Sequence, residues 1–84
     1  MAEPQPTMYV LRSAAQPWRY YTGLTSNLGL RVRAHNEGHS RHTASGRPWR
    51  VVVAVEFADP DRATSFEEYL KSGSGRSFAA RHLR

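Results

Sequence analysis

Apolar and polar positions alternate through "MYVLRS" (8–13) and again through "RYYTGL" (19–24), which predicts two strands. "AAQPW" between them, with Pro17, reads as a turn, so the pair forms a hairpin with a slightly long loop. The period then lengthens. "TSN" supplies three candidate N-caps for a helix over 27–37, and "NEGHS" closes it with Gly38 near the C′ position. A polar, basic loop is expected over 39–48. In "WRVVVAVEF" (49–57) strict alternation places Trp49, Val51, Val53, Val55 and Phe57 on one face of a third strand. "DPDRATSFEEYLKSG" predicts a second long helix, with Asp59 as N-cap, Pro60 at N1 and Gly73 past the end. "GRSFAARHL" predicts a short basic helix. The expected class is α+β, a small three-stranded antiparallel sheet flanked by helices. Residues 1–6, with two prolines, read as a flexible tail before a single domain over 7–84.

The first helix carries charge where its apolar face lies. At roughly 100° per residue from Leu28, its apolar positions Leu28, Leu30, Val32 and Ala34 bracket an arc that contains Arg31 and His35, while Arg33 points away. One explanation is a narrower arc, with Arg31 snorkelling to solvent. The other is a site. A buried guanidinium needs a carboxylate or a phosphate partner, and Arg31 and His35 stand at i, i+4. On the second long helix, Ala63, Phe66, Tyr69 and Leu70 define the inner arc, Glu67 sits at its edge and Glu68 faces water.

Elimination among the seven acids points the same way. Glu3 is in the tail, Asp59 and Asp61 start a helix, Glu37 ends one, and Glu56 lies on the polar face of its strand. Glu67 is the carboxylate placed to enter a site, or else a rim residue paired with Arg31. In the hairpin, Tyr9 shares a face with Leu11, and Tyr21 with Gly23. Packing is the usual explanation of strand tyrosines, although a strand glycine often marks close approach of a backbone or ligand. Two phenols, a guanidinium, an imidazole and one carboxylate thus outline a candidate site.

Length and charge refine this picture. Eighty-four residues bound a single small domain, and 39% hydrophobic content makes it globular. With no cysteine, disulfides and thiolate metal sites are excluded. No apolar run could span a bilayer and no leader is visible, so a cytoplasmic protein is expected. The formal net charge of +5 favours a polyanionic partner, nucleic acid before membrane. Eleven of the twelve cations are Arg, a bias that suits phosphate but that a GC-rich genome also produces. "GSG" at 73–75 lacks the preceding strand of a phosphate-cradling loop. His39 and His42 lack further zinc ligands, and no serine occupies a nucleophile elbow.

The order of a strand tyrosine, Tyr-x-Gly a dozen residues on, helix Arg and His at i, i+4, and a helix Glu resembles the GIY-YIG nuclease family. "TMY" (7–9) stands for the first motif, "YTG" (21–23) for the second, "LRVRAH" (30–35) for the helix segment and "FEEYLKSG" (66–73) for the acidic one. The resemblance covers residues 8–83. It is closest to the small single-domain members related to the nuclease domain of the bacterial excinuclease, of which "HNEG", "GRPW" and "EYLKSGSGR" also look typical. Thr7 and Met8 replace the Gly and Ile of the first motif, whose tyrosine alone carries chemistry.

That resemblance implies a metal-dependent endonuclease hydrolysing phosphodiester bonds in nucleic acid, DNA in preference to RNA, by tyrosine-assisted attack of water. It implies Tyr9 and Tyr21 as paired catalytic tyrosines, Arg31 as the phosphate-binding arginine, His35 as a proton relay or phosphate contact, and Glu67 as ligand of a single Mg²⁺ (or Mn²⁺). Tyr9 is the expected general base, with Arg31 and the metal favouring its phenolate, and Tyr21 positions water or phosphate. The phenols are expected to meet in an open hollow above the sheet. Gly23 would let the strand being cut approach closely, and Arg33, Arg41, Arg47, Arg76 and Arg81 would track its backbone. The alternatives are a nucleic-acid-binding module on the same fold that no longer cuts, and a protein-interaction domain using the Arg-rich loop.

Overall fold

A computed structural model describes residues 5–84. Glu3 and most of the expected tail lie outside the described residues; within them, the Pro6 carbonyl accepts a hydrogen bond from Phe57 N. Three strands, β1 (Thr7–Ser13), β2 (Tyr20–Thr25) and β3 (Trp49–Glu56), form one antiparallel sheet in the order β2-β1-β3. Four helices surround it: α1 (Leu28–Asn36), α2 (Arg41–Ala44), α3 (Pro60–Leu70) and α4 (Gly73–His82). The α+β class is as expected.

The central strand is buried on both faces because both faces carry a helical layer. Met8 and Val10 point to one side, where they meet Leu70 of α3 and Ala79 of α4, with Leu24, Val53, Val55 and Phe66 packed around them. Tyr9 and Leu11 point to the other side, where they meet Trp49, with Tyr21 and the α1 residues Leu28 and Val32 against them.

Two expectations fail. The loop 39–48 contains the one-turn helix α2, begun at Ser40, whose carbonyl accepts from Ala44 N. Thr43 and Gly46 are buried there, and the Trp49 indole Nε1 donates to the Thr43 carbonyl at 2.7 Å. The single face predicted for β3 is also wrong. Val10 pairs with Val53 but Leu11 with Val51, so Val52 is an extra residue in a β-bulge. The bulge exchanges faces: Trp49 joins the Tyr9–Leu11 side, while Val53 and Val55 join the Met8–Val10 side.

Caps set the helix ends. The Asn27 side chain accepts from Leu30 N at 3.1 Å, which selects Asn27 from the three candidates. Gly38, at φ 83°, takes the left-handed C′ position. Asp59 caps α3 through Asp61 N, as expected, and Ser72 caps α4 through Gly75 N.

Candidate active site

The site begins with strand register. Tyr9 lies opposite Gly23 across the β1–β2 pair, so their side-chain positions share one face. A Cβ on Gly23 would fall 2.5 Å from both the Cζ and the hydroxyl oxygen of Tyr9. The phenol therefore lies across the neighbouring strand in the space a side chain would fill. Gly23 is itself buried, so its missing side chain admits Tyr9, and the expected contact with a nucleic-acid strand is corrected. Tyr21, two residues earlier on the same face, sets its ring centroid 6.1 Å from that of Tyr9.

Helix α1 crosses this face. Leu28 and Val32 anchor it, and their spacing turns His35 inward. His35 is 1% exposed and is the buried residue of α1, whereas Leu30 is 59% exposed. The buried arc is thus centred on the imidazole and is narrower than the apolar letters suggest. Its Nε2 is 2.9 Å from the Tyr9 hydroxyl, its Nδ1 is 2.8 Å from Thr43 Oγ1, and its ring centroid is 4.7 Å from that of Tyr21. One turn back, the exposed Arg31 reaches over the edge, and its Nε donates to the Tyr9 hydroxyl at 3.4 Å. Arg31 is therefore neither buried nor free in solvent: its guanidinium lies on the outer side of a buried phenol.

Burial governs the electrostatics. Desolvation pushes the Tyr9 phenol above its ordinary value, the nearby Tyr21 hydroxyl adds to this, and the Arg31 guanidinium opposes it. The expectation that Arg31 favours the phenolate holds only in direction, because burial outweighs it. His35 is held below its ordinary value, first by burial and then by the charge of Arg31, so it is neutral near pH 7. Arg31 is held more firmly in its charged form by the Tyr9 hydroxyl.

The open hollow expected for both phenols is corrected as well. Tyr21 is half-buried, but Tyr9 has no exposed surface, because Gly23 lets its ring lie flat beneath α1. Tyr9, Tyr21, Arg31 and His35 do come together. Glu67 is not in their bonded cluster. It lies on α3, the helix packed against the opposite face, and its Oε2 pairs with Lys71 Nζ at 2.5 Å. Its partner is therefore Lys71 and not Arg31. Lys71 in turn lines a cleft of about 480 Å³ at the β2 edge, together with Tyr20, Tyr21, Arg76 and Arg84. One ion pair thus links Glu67 to the cleft that Tyr21 borders.

The outlying cations divide between the two sides. Arg33 is exposed on α1, Arg41 on α2 and Arg47 just beyond, where its Nε donates to the Ala44 carbonyl at 2.7 Å; Arg76 and Arg81 are exposed on α4. Thr43 is a member of the site that the sequence reasoning missed. It is 0% exposed and bonded to His35, yet it sits in a stretch that reads as a polar loop. The polar, basic stretch around it carries no signal of that burial, which only the turn of α2 creates.

Residues 5–79 match the GIY-YIG catalytic domain. The chain is 33% identical over 84 residues to the structure-specific endonuclease subunit SLX1 of Debaryomyces hansenii, covering 92% of this chain and 23% of that protein. It is 33% identical over 64 residues to the UPF0213 protein YazA of Bacillus subtilis, covering 75% of this chain and 63% of the relative. A UPF0213 protein of Streptococcus pneumoniae is 34% identical over 65 residues, covering 76% and 64%. The chain thus spans less than two thirds of the length of each of these relatives.

Proposed function

The chain belongs to the GIY-YIG family, and on that premise we propose that it is a metal-dependent endonuclease hydrolysing phosphodiester bonds in nucleic acid, DNA in preference to RNA. The observation that carries this reading is the bonded convergence of Tyr9, Arg31 and His35, with the Tyr21 ring against them. A packing role for the tyrosines would not require a guanidinium and an imidazole on one phenol oxygen. The name of the yeast relative, a structure-specific endonuclease subunit, agrees with a nucleic-acid substrate.

In the proposed reaction, the exposed Arg31 binds the phosphate and offsets charge growing on its non-bridging oxygens. Its 3.4 Å contact to Tyr9 is at the long end for a hydrogen bond, so a phosphate displaces it readily and leaves the Tyr9 oxygen facing the substrate. Tyr21 orients the attacking water. Tyr9 takes a proton from that water on its oxygen and passes its own to His35 Nε2, while the water oxygen bonds to phosphorus, the ester P–O bond breaks and the departing oxygen takes a proton from solvent. Because burial keeps Tyr9 protonated, it acts by handing a proton on and not as a standing phenolate.

No group of three or more His, Asp or Glu side chains converges among the described residues. A Mg²⁺ ion retains several waters and is bound through one or two carboxylates plus substrate phosphate, which fits a single glutamate. Glu67 would hold the ion, its pair with Lys71 being made through Oε2. When bound, such an ion supplies positive charge to the phosphate undergoing attack.

Plasmid and branched-DNA cleavage, run with Mg²⁺ and with EDTA, tests the reading. Nicking is expected in Mg²⁺ alone, and Glu67→Ala is expected to abolish it while largely retaining DNA binding. Unchanged cleavage by that variant removes Glu67 from the mechanism, and no cleavage by the natural chain favours a module that binds without cutting.

A further inference from the structure

We infer that the hollow along the β2 edge is a binding subsite for one unpaired base of a nucleic-acid strand, which stacks on the indole of Trp18 while Arg76 and Arg84 hold the flanking phosphates. The inference rests on the endonuclease reading for making that strand a substrate, but not for the subsite itself.

The two tryptophans have opposite fates. Trp49 is 3% exposed, whereas Trp18, in the loop between β1 and β2, is 75% exposed and forgoes that burial. Its ring lines the hollow of about 480 Å³ that Tyr20, Tyr21, Arg76 and Arg84 also border. Among the described residues no Asp or Glu lines that hollow. Two of its cations are already engaged: Lys71 pairs with Glu67, and the Arg19 guanidinium is held by Gln16 Oε1, Ser45 Oγ and the His42 carbonyl. Arg76 and Arg84 are both exposed and have no acidic side chain as partner among the described residues. The Arg84 guanidinium stands 4.6 Å from the centroid of the Tyr20 ring, which holds it at the rim.

The far side of the same loop is cationic too. Arg12 Nε donates to the carbonyl of Pro17, the residue before Trp18, at 2.8 Å, and Arg12 lies opposite Arg50 across the β1–β3 pair. Like charges directly opposite in antiparallel strands destabilise the sheet, and a polyanion offsets that repulsion. The form of the polyanion follows from Trp18. An acidic peptide meets the charge but offers the indole no ring, and a duplex hides the faces of its bases in the stack. An unpaired strand alternates open base faces with phosphates, which matches an indole beside arginines. Tyr21 joins this hollow to the phenol cluster, its ring centroid 6.1 Å from that of Tyr9. The three residues from Trp18 to Tyr21 span at most roughly 10 Å, so the stacked base falls within about three nucleotides of Tyr21 at about 3.4 Å each.

Binding measured in EDTA, apart from any cleavage, tests the subsite. With Trp49 buried, Trp18 is the indole that a ligand can quench. An oligo-dT of about ten nucleotides is expected to quench the tryptophan fluorescence of the natural chain, and polyglutamate is not. Trp18→Ala, at an exposed position, should weaken binding of the labelled oligo-dT about five- to a hundredfold and leave duplex affinity unchanged. Arg84→Gln should lower the slope of log affinity against log salt for oligo-dT by about 0.7. A natural chain whose fluorescence oligo-dT leaves unchanged overturns the inference, and so does a Trp18→Ala variant that binds oligo-dT as tightly as the natural chain. Equal quenching by polyglutamate overturns it in favour of an acidic-peptide groove. A chain that cuts in Mg²⁺ but shows no such quenching loses the subsite and keeps the endonuclease reading; one that shows the quenching but does not cut does the reverse.

Discussion

Tyr9 takes its chemical character from one register position. Opposite any residue but glycine its phenol would stand away from the sheet, whereas opposite Gly23 it lies buried, with His35 on one side and Arg31 on the other. Tyr9→Phe keeps the ring and removes only the hydroxyl. Cleavage is expected to slow at least about tenfold with the domain still folded; a fall in melting temperature with activity spared would mean that Tyr9 serves packing alone. His35 carries a second expectation. Its folded-state value is lowered by burial and by Arg31, so on acidification the unfolded chain takes up the proton first. The stability it contributes is present above about pH 6.5 and is lost as pH falls toward the folded-state value. Denaturation midpoints should therefore decline between about pH 7.5 and 5 more steeply for the natural chain than for His35→Gln. Parallel slopes would contradict this.

Elements with local signals are legible from the chain, and elements set by their neighbours are not. Asp59, Pro60 and Gly38 mark helix ends by their own chemistry, and the ends fall where those residues predict. The bulge at Val52 has no such mark, because "VVV" alternates equally well in either register. Arg31 and His35 do reach Tyr9 from α1, as expected, but Leu30 faces out, since the sheet contacts a narrower arc than the apolar letters describe. Thr43 is not legible, because only the folded turn of α2 brings it to His35. What ties that region together is Asn36. Its Nδ2 donates to the Trp49 carbonyl at 3.1 Å and its Oδ1 accepts from Trp49 N at 2.6 Å, so the end of α1 pairs with the start of β3 as another strand would. Asn36→Ala leaves both Trp49 groups without that partner and should cost about 1–3 kcal/mol. For a domain of this size each kcal/mol lowers the melting temperature by about 4–8 °C. An unchanged melting temperature would mean that the clamp is dispensable.

Across the whole molecule, the sheet separates the two sets of residues that the proposed reaction uses. Arg31 and His35 stand on α1 over one face, while Glu67 lies on α3, with Lys71 at its C-cap, over the other. β2 is an edge strand, so the two sides meet around it, at the cleft bordered by Tyr21 and Lys71. This explains why the alternative of a Glu67–Arg31 ion pair fails: a helical wheel reports which face a side chain takes, not which side of a sheet the helix will cover. The net charge of +5 suits a polyanion along either route. In the proposed reaction cleavage runs through the cluster around Tyr9, and Arg31 is the exposed residue that would connect that cluster to a phosphate. The most direct measurement is the single-turnover rate of DNA cleavage in Mg²⁺ by the natural chain and by Arg31→Ala, both at saturating protein. A loss on the order of a hundredfold is predicted, and equal rates would contradict the account.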